Sequence, residues 1–150
     1  MNLARFITVL FFSSFLTAYA AVKEDITVSN AYVRATPPGK TMTAAFLKLE
    51  NTSDQEHRLI AVDSSAAGTT ELHQTVNEQG LLKMRPVTEM TIAAHSTQEL
   101  QPGGYHIMLV DLKQPLKIGQ TIPLTLSFAS GEKLTLKIPV KSVIADVDNQ

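Results

Sequence analysis

The sequence predicts an all-β domain, an antiparallel sandwich or barrel. Three observations predict it. Apolar and polar residues alternate with a period of two in several short runs, turn-forming residues divide those runs, and no segment carries a long apolar repeat of 3.6 residues. Ala44-Ala45-Phe46-Leu47-Lys48-Leu49-Glu50 sets Phe46 and Lys48 against Leu47 and Leu49, as a half-buried strand requires. Arg58 to Val62 repeats the pattern, as do Thr69 to His73, Leu81 to Val87, Leu124 to Phe128 and Lys133 to Ile138. Between them lie Thr36-Pro37-Pro38-Gly39-Lys40, a loop, and Asn51-Thr52-Ser53-Asp54, a turn that also matches an N-glycosylation acceptor. Asn77-Glu78-Gln79-Gly80 and Pro102-Gly103-Gly104 are further turns, and Ser130-Gly131-Glu132 reads as a tight hairpin between the last two strands. No internal repeat, low-complexity tract or interdomain linker interrupts the series. The last residues, Asp146 to Gln150, read as a loose end.

The first twenty residues stand apart from this core. Arg5 supplies a positive start, Phe6 to Leu16 is apolar, and Ala18-Tyr19-Ala20 offers a cleavage signature. The segment predicts a secretory signal peptide over 1–20, cleaved after Ala20, with one domain over 21–150. No cysteine follows it to carry a lipid, and no later run approaches the length of a membrane span. The 150 residues carry 13 Lys+Arg and 14 Asp+Glu. Loss of Arg5 leaves 12 basic residues and a net charge of −2. The charges are dispersed, which argues against nucleic acid and against stable membrane insertion.

The chain has no cysteine, four histidines and five methionines. An exported chain without cysteine has no disulfide and no thiolate, so any soft metal ligand must be a methionine. Ten residues separate His73 from Met84, twenty-one separate Met84 from His106, and one separates His106 from Met108. In a strand over Tyr105-His106-Ile107-Met108-Leu109-Val110, His106 and Met108 share a face about 6–7 Å apart, opposite Tyr105, Ile107 and Leu109. Thioether sulfur and imidazole together favour Cu(I) over hard ions. Each residue alone has a plainer reading: Met84 and Met108 as core filler, His73 as a surface side chain. Neither His57 nor His95 has a methionine within two residues.

The spacing His73, Met84, His106, Met108 resembles the motif of the PCuAC family of periplasmic copper chaperones. Flanking segments are similar as well, among them Glu71-Leu72-His73, Met84-Arg85-Pro86-Val87 and Pro102-Gly103-Gly104-Tyr105-His106-Ile107-Met108-Leu109. Further segments extend the likeness over nearly all of the chain after residue 20. Thr75 departs from the pattern, where relatives often carry methionine. The resemblance implies a cupredoxin-like antiparallel β-sandwich of Greek-key type. It also implies one Cu(I) per chain held by His73, Met84, His106 and Met108, and delivery to a respiratory oxidase subunit or a partner copper chaperone in the periplasm. The expected protein is a monomeric carrier, not an enzyme. The chain shows no nucleophile elbow or metallohydrolase motif, and a blue-copper electron carrier would need a cysteine thiolate. A copper buffer conferring tolerance, or a metal-free structural sandwich, are the competing readings.

Overall fold

The computed structural model describes residues 25–142; the expected signal peptide over 1–20 and the expected loose end at 146–150 lie outside them. Ten strands make up the described chain: β1 (Ile26–Arg34), β2 (Thr43–Asn51), β3 (His57–Asp63), β4 (Ala67–Glu78), β5 (Leu81–Pro86), β6 (Met90–Ile92), β7 (Thr97–Leu100), β8 (Tyr105–Leu112), β9 (Thr121–Phe128) and β10 (Lys133–Lys141). The strand order is β5-β4-β8-β7-β2-β1-β10-β9-β3-β6. The all-β class is therefore as the alternation predicts. Among the described residues no helix is long and apolar enough to cross a membrane.

Two ladders share one core. The first runs from β5 to β1, and the second from β10 to β6. They are joined by a parallel contact, Val33 beside Val140 and Arg34 beside Lys141. A second parallel contact sets Leu100 beside Tyr105, and all other pairings are antiparallel. Strand β2 is divided: its first half pairs with β8 and its second half with β7. Leu47, Leu49, Leu72, Ile107 and Leu109 of the first ladder, and Leu59, Leu124, Leu126 and Phe128 of the second, are all buried in one cluster. Fully burying each such side chain stabilises by about 1.5–3 kcal/mol.

Three strands are absent from the sequence reading. β1 hides because Asn30 takes a left-handed φ of 53° and the β1–β2 register shifts between Ser29 and Tyr32. One extra residue at such a bulge flips the side chains that follow to the other face, so the period of two breaks. β6 and β7 span three and four residues and are too short to show a period. The turns are as expected. Gln79 and Gly80, with φ of 54° and 83°, form the two-residue link between β4 and β5, and the Asn77 side chain accepts a hydrogen bond from the Gly80 amide at 2.9 Å. Positive φ at both central positions is what a type I′ hairpin demands. Asn51 is only 1% exposed, and its Nδ2 donates to the carbonyls of Gln55, Ile92 and Ala93. Its amide is a structural tie of the turn, which removes it as a glycan acceptor in the folded chain.

Candidate metal centre on the outer face of the first sheet

Register brings the four predicted residues to one face. His73 of β4 stands directly across from His106 of β8, and Glu71 stands across from Met108. Thr75, two residues beyond His73, stands across from Met84 of β5. Residues directly opposed, and residues two apart on one strand, share a face of a sheet. His73, Met84, His106 and Met108 therefore all project from the side of the sheet away from Leu72, Ile107 and Leu109. The helper strand is β4, which carries His73 and links the Met84 strand to the His106 strand.

The two histidines are held in defined protonation geometry. His106 Nδ1 lies 3.1 Å from the Gly104 carbonyl. A carbonyl only accepts, so Nδ1 carries the proton and Nε2 of the neutral ring keeps the lone pair. His73 Nε2 lies 2.9 Å from Glu71 Oε2. A carboxylate likewise accepts, so His73 keeps its lone pair on Nδ1. Those two remaining atoms, His73 Nδ1 and His106 Nε2, are both buried and both without a hydrogen-bond partner. Among the described residues the other such side-chain atom is Thr70 Oγ1, whose residue pairs with Leu109 on the inward-facing side. Buried polar atoms are ordinarily paired, so these two lone-pair nitrogens on neighbouring rings are fitted to bind an electrophile.

Their separation suits a shared ion. The ring centroids are 5.8 Å apart with planes at 61°. Two imidazoles on one metal have centroids at most about 6.5 Å apart, taking roughly 2 Å for the metal–nitrogen bond and about 1.2 Å from nitrogen to ring centre. Among the described residues no three His, Cys, Asp or Glu side chains converge as a metal-binding group. The same face carries the thioethers of Met84 and Met108, which with the imidazoles make a set suited to a soft ion.

The site is asymmetric in depth. His106 is 3% exposed, packed against Phe46 with ring centroids 6.5 Å apart. Met108 is half-buried, and Met84 is 62% exposed on the edge strand. This corrects the reading of Met84 as core filler: among the described residues β5 pairs only with β4, and all six of its residues are exposed. The second sheet does not reach it. His57 and His95 lie elsewhere, beside Ser53 and Asp54 respectively.

Sequence reasoning missed three neighbours of the histidines: Phe46 and Arg34 near His106, and Glu71 beside His73. Phe46 is buried although it faces outward from β2, because Tyr32 packs on it at 5.3 Å and the Arg34 guanidinium lies 4.8 Å from its ring centre. Glu71 is the third, and its position two residues before His73 on the same strand was the available signal. Pro102-Gly103-Gly104 does set the backbone ahead of His106, since the Gly104 carbonyl accepts from both His106 Nδ1 and the Thr75 amide.

Burial pushes the His106 imidazole below its usual value of 6.5; His73 and Arg34 push the same way, and the Gly104 hydrogen bond opposes them. A base whose pKa is lowered by folding contributes stability that is complete above the unfolded value and is lost as pH falls through the folded one. The metal-free chain should therefore keep this contribution above about pH 6.5 and lose it progressively below. Urea midpoints measured across that range should fall toward acid, and the decline should be shallower in H106L.

Comparison with known proteins agrees with this architecture. Residues 26–140 match the family described as "Putative lipoprotein LpqE-like". A Leifsonia xyli subsp. xyli protein, "Putative lipoprotein Lxx21020", is 41% identical over 119 residues, covering 79% of this chain and 70% of its own. The solution structure of Cu(I)-bound DR1885 from Deinococcus radiodurans superposes with a TM-score of 0.64 at 35% identity, over 85% of this chain and 83% of that one. The copper-bound PCuAC domain of PmoF2 superposes with a TM-score of 0.67 at 23% identity, over 79% and 94%, a likeness of fold. The chain belongs to the LpqE-like family, and its fold is the cupredoxin-like β-sandwich of PCuAC domains.

Proposed function

We propose that this chain is an exported copper carrier that holds one Cu(I) through His73 Nδ1, His106 Nε2 and the thioethers of Met84 and Met108, and hands it to another copper protein. The observation that carries the reading is the pair of buried, partnerless imidazole nitrogens on rings 5.8 Å apart. Both thioethers stand on the same face. Cu(I) is cargo here, not a resident cofactor, and the protein catalyses no reaction. A copper-bound PCuAC domain and a Cu(I)-bound DR1885 among the structural relatives support the choice of ion. The match to a lipoprotein family and the apolar segment 1–20 support export, with residues 1–20 as the signal peptide and the periplasm as the destination.

Depth suggests the order of transfer. His106 is the buried anchor and Met84 the exposed ligand, so an incoming acceptor thiolate would displace Met84 first. Four neutral ligands select a soft cation by donor type and not by charge, which leaves the ion free to move to a thiolate site that binds it more tightly. The acceptor would be an oxidase copper centre, reached directly or through a second chaperone.

Competition for Cu(I) against a colorimetric chelator under reducing conditions tests binding, with one equivalent bound as the expected result and none as the refuting one. Delivery is tested by mixing the loaded chain with a purified thiolate-bearing acceptor domain. Copper should appear on the acceptor; retention by this chain would favour a buffer.

A further inference from the structure

We propose that Glu71 is the positioning residue of this site: its carboxylate holds the His73 ring with the Nε2 proton turned away and Nδ1 free to meet the ion. The inference rests on the reading of His73 as a ligand and assigns a role to a residue outside the four-residue motif. The two histidines solve one problem by different means. The His106 ring is fixed by a main-chain carbonyl, Gly104, that cannot be lost by mutation of a side chain. Among the described residues no backbone acceptor holds His73 in the same way; its Nε2 meets Glu71 Oε2 at 2.9 Å.

Three features suit Glu71 to this role. It lies two residues before His73 on β4, so both side chains leave the same face of one strand. It pairs across the ladder with Met108, which places its carboxylate beside the ligand set and not at a distance. An ionised carboxylate offers only acceptors, so it admits one tautomer of a neutral ring, whereas an amide could present either a donor or an acceptor. The carboxylate also sets a negative charge next to a site whose four proposed ligands are neutral. Acidic partners of metal-bound histidines orient the ring and raise its basicity, and their loss typically lowers metal affinity about 10–100-fold.

The test is Glu71→Gln, which keeps the size of the side chain, at a position half open to solvent. The first readout is taken on the metal-free chain: long-range proton–nitrogen NMR correlations of the imidazoles near neutral pH. In the wild type, His73 should show a protonated Nε2, an unprotonated Nδ1 and an Nε2–H proton protected from exchange. In E71Q that proton should exchange rapidly and the ring should populate both tautomers, while His106 keeps its Nδ1 proton. The second readout is Cu(I) competition, where E71Q should bind about 10–100-fold more weakly. An unchanged His73 ring in E71Q overturns the proposal, whatever the affinity does. So does a released ring with unchanged Cu(I) affinity. A wild-type chain that binds no Cu(I) would refute the carrier function, and the NMR readout, which needs no metal, would still decide whether Glu71 fixes His73.

Discussion

Replacing His106 with leucine should abolish Cu(I) binding and leave the metal-free chain folded and at least as stable as the wild type. The imidazole is 3% exposed and its Nε2 has no partner. A buried polar atom left unpaired costs about 1–3 kcal/mol, and leucine removes it in a side chain of similar bulk that can pack on Phe46. The hydrogen bond to Gly104 is lost with the ring, but that carbonyl keeps the Thr75 amide as a donor at 3.0 Å. Affinity should fall by more than the roughly 10–100-fold that follows loss of a partner behind the ligands. Chelator competition reads the first effect and urea unfolding the second. Retained affinity, or a sharp drop in stability, would show that His106 serves the fold and not the metal.

The joint change Met84→Leu and Met108→Leu should have a comparable effect on copper with little effect on the fold. Leucine matches methionine closely in volume, and such swaps usually cost under about 1.5 kcal/mol in a core. Met84 is mostly exposed, so its share should stay within about 0.5 kcal/mol. What disappears is the sulfur. Two imidazoles remain, enough for weak binding of a borderline ion but without the soft donors that select Cu(I). The double variant should lose Cu(I) in competition while its weak affinity for Zn(II) changes little. The single variants should differ in kinetics: Met84→Leu opens the exposed side, so copper should leave it faster than it leaves Met108→Leu.

Much of the fold was written locally. Leu47 and Leu49 of β2, or Leu124 and Leu126 of β9, mark a strand by their own spacing because one face meets the core. The pattern fails where backbone or neighbours intervene. Asn30 shifts the register within β1, and Phe46 is buried on the outward face because Tyr32, Arg34 and His106 gather over it. The parallel contacts of β1 with β10 and β7 with β8 are long-range pairings that no local period encodes.

The candidate site divides in the same way. His106 and Met108 share a face by strand geometry alone. Placing His73 with them needs the β4–β8 register, and placing Met84 needs the β4–β5 hairpin register set at Gln79-Gly80. The spacing resemblance named the four residues; the ladders supply the register that sets all four on one face. The choice of ring nitrogen was invisible in sequence, because it depends on Glu71 and the Gly104 carbonyl as hydrogen-bond partners.

The most direct test of the central claim is X-ray absorption at the copper edge on the wild-type chain loaded with one equivalent of Cu(I) under reducing conditions. The account predicts two sulfur and two nitrogen neighbours per copper, with the sulfur shell lost in the Met84→Leu, Met108→Leu chain. A shell of nitrogen and oxygen alone in the wild type, or a sulfur shell that survives the double substitution, would contradict it.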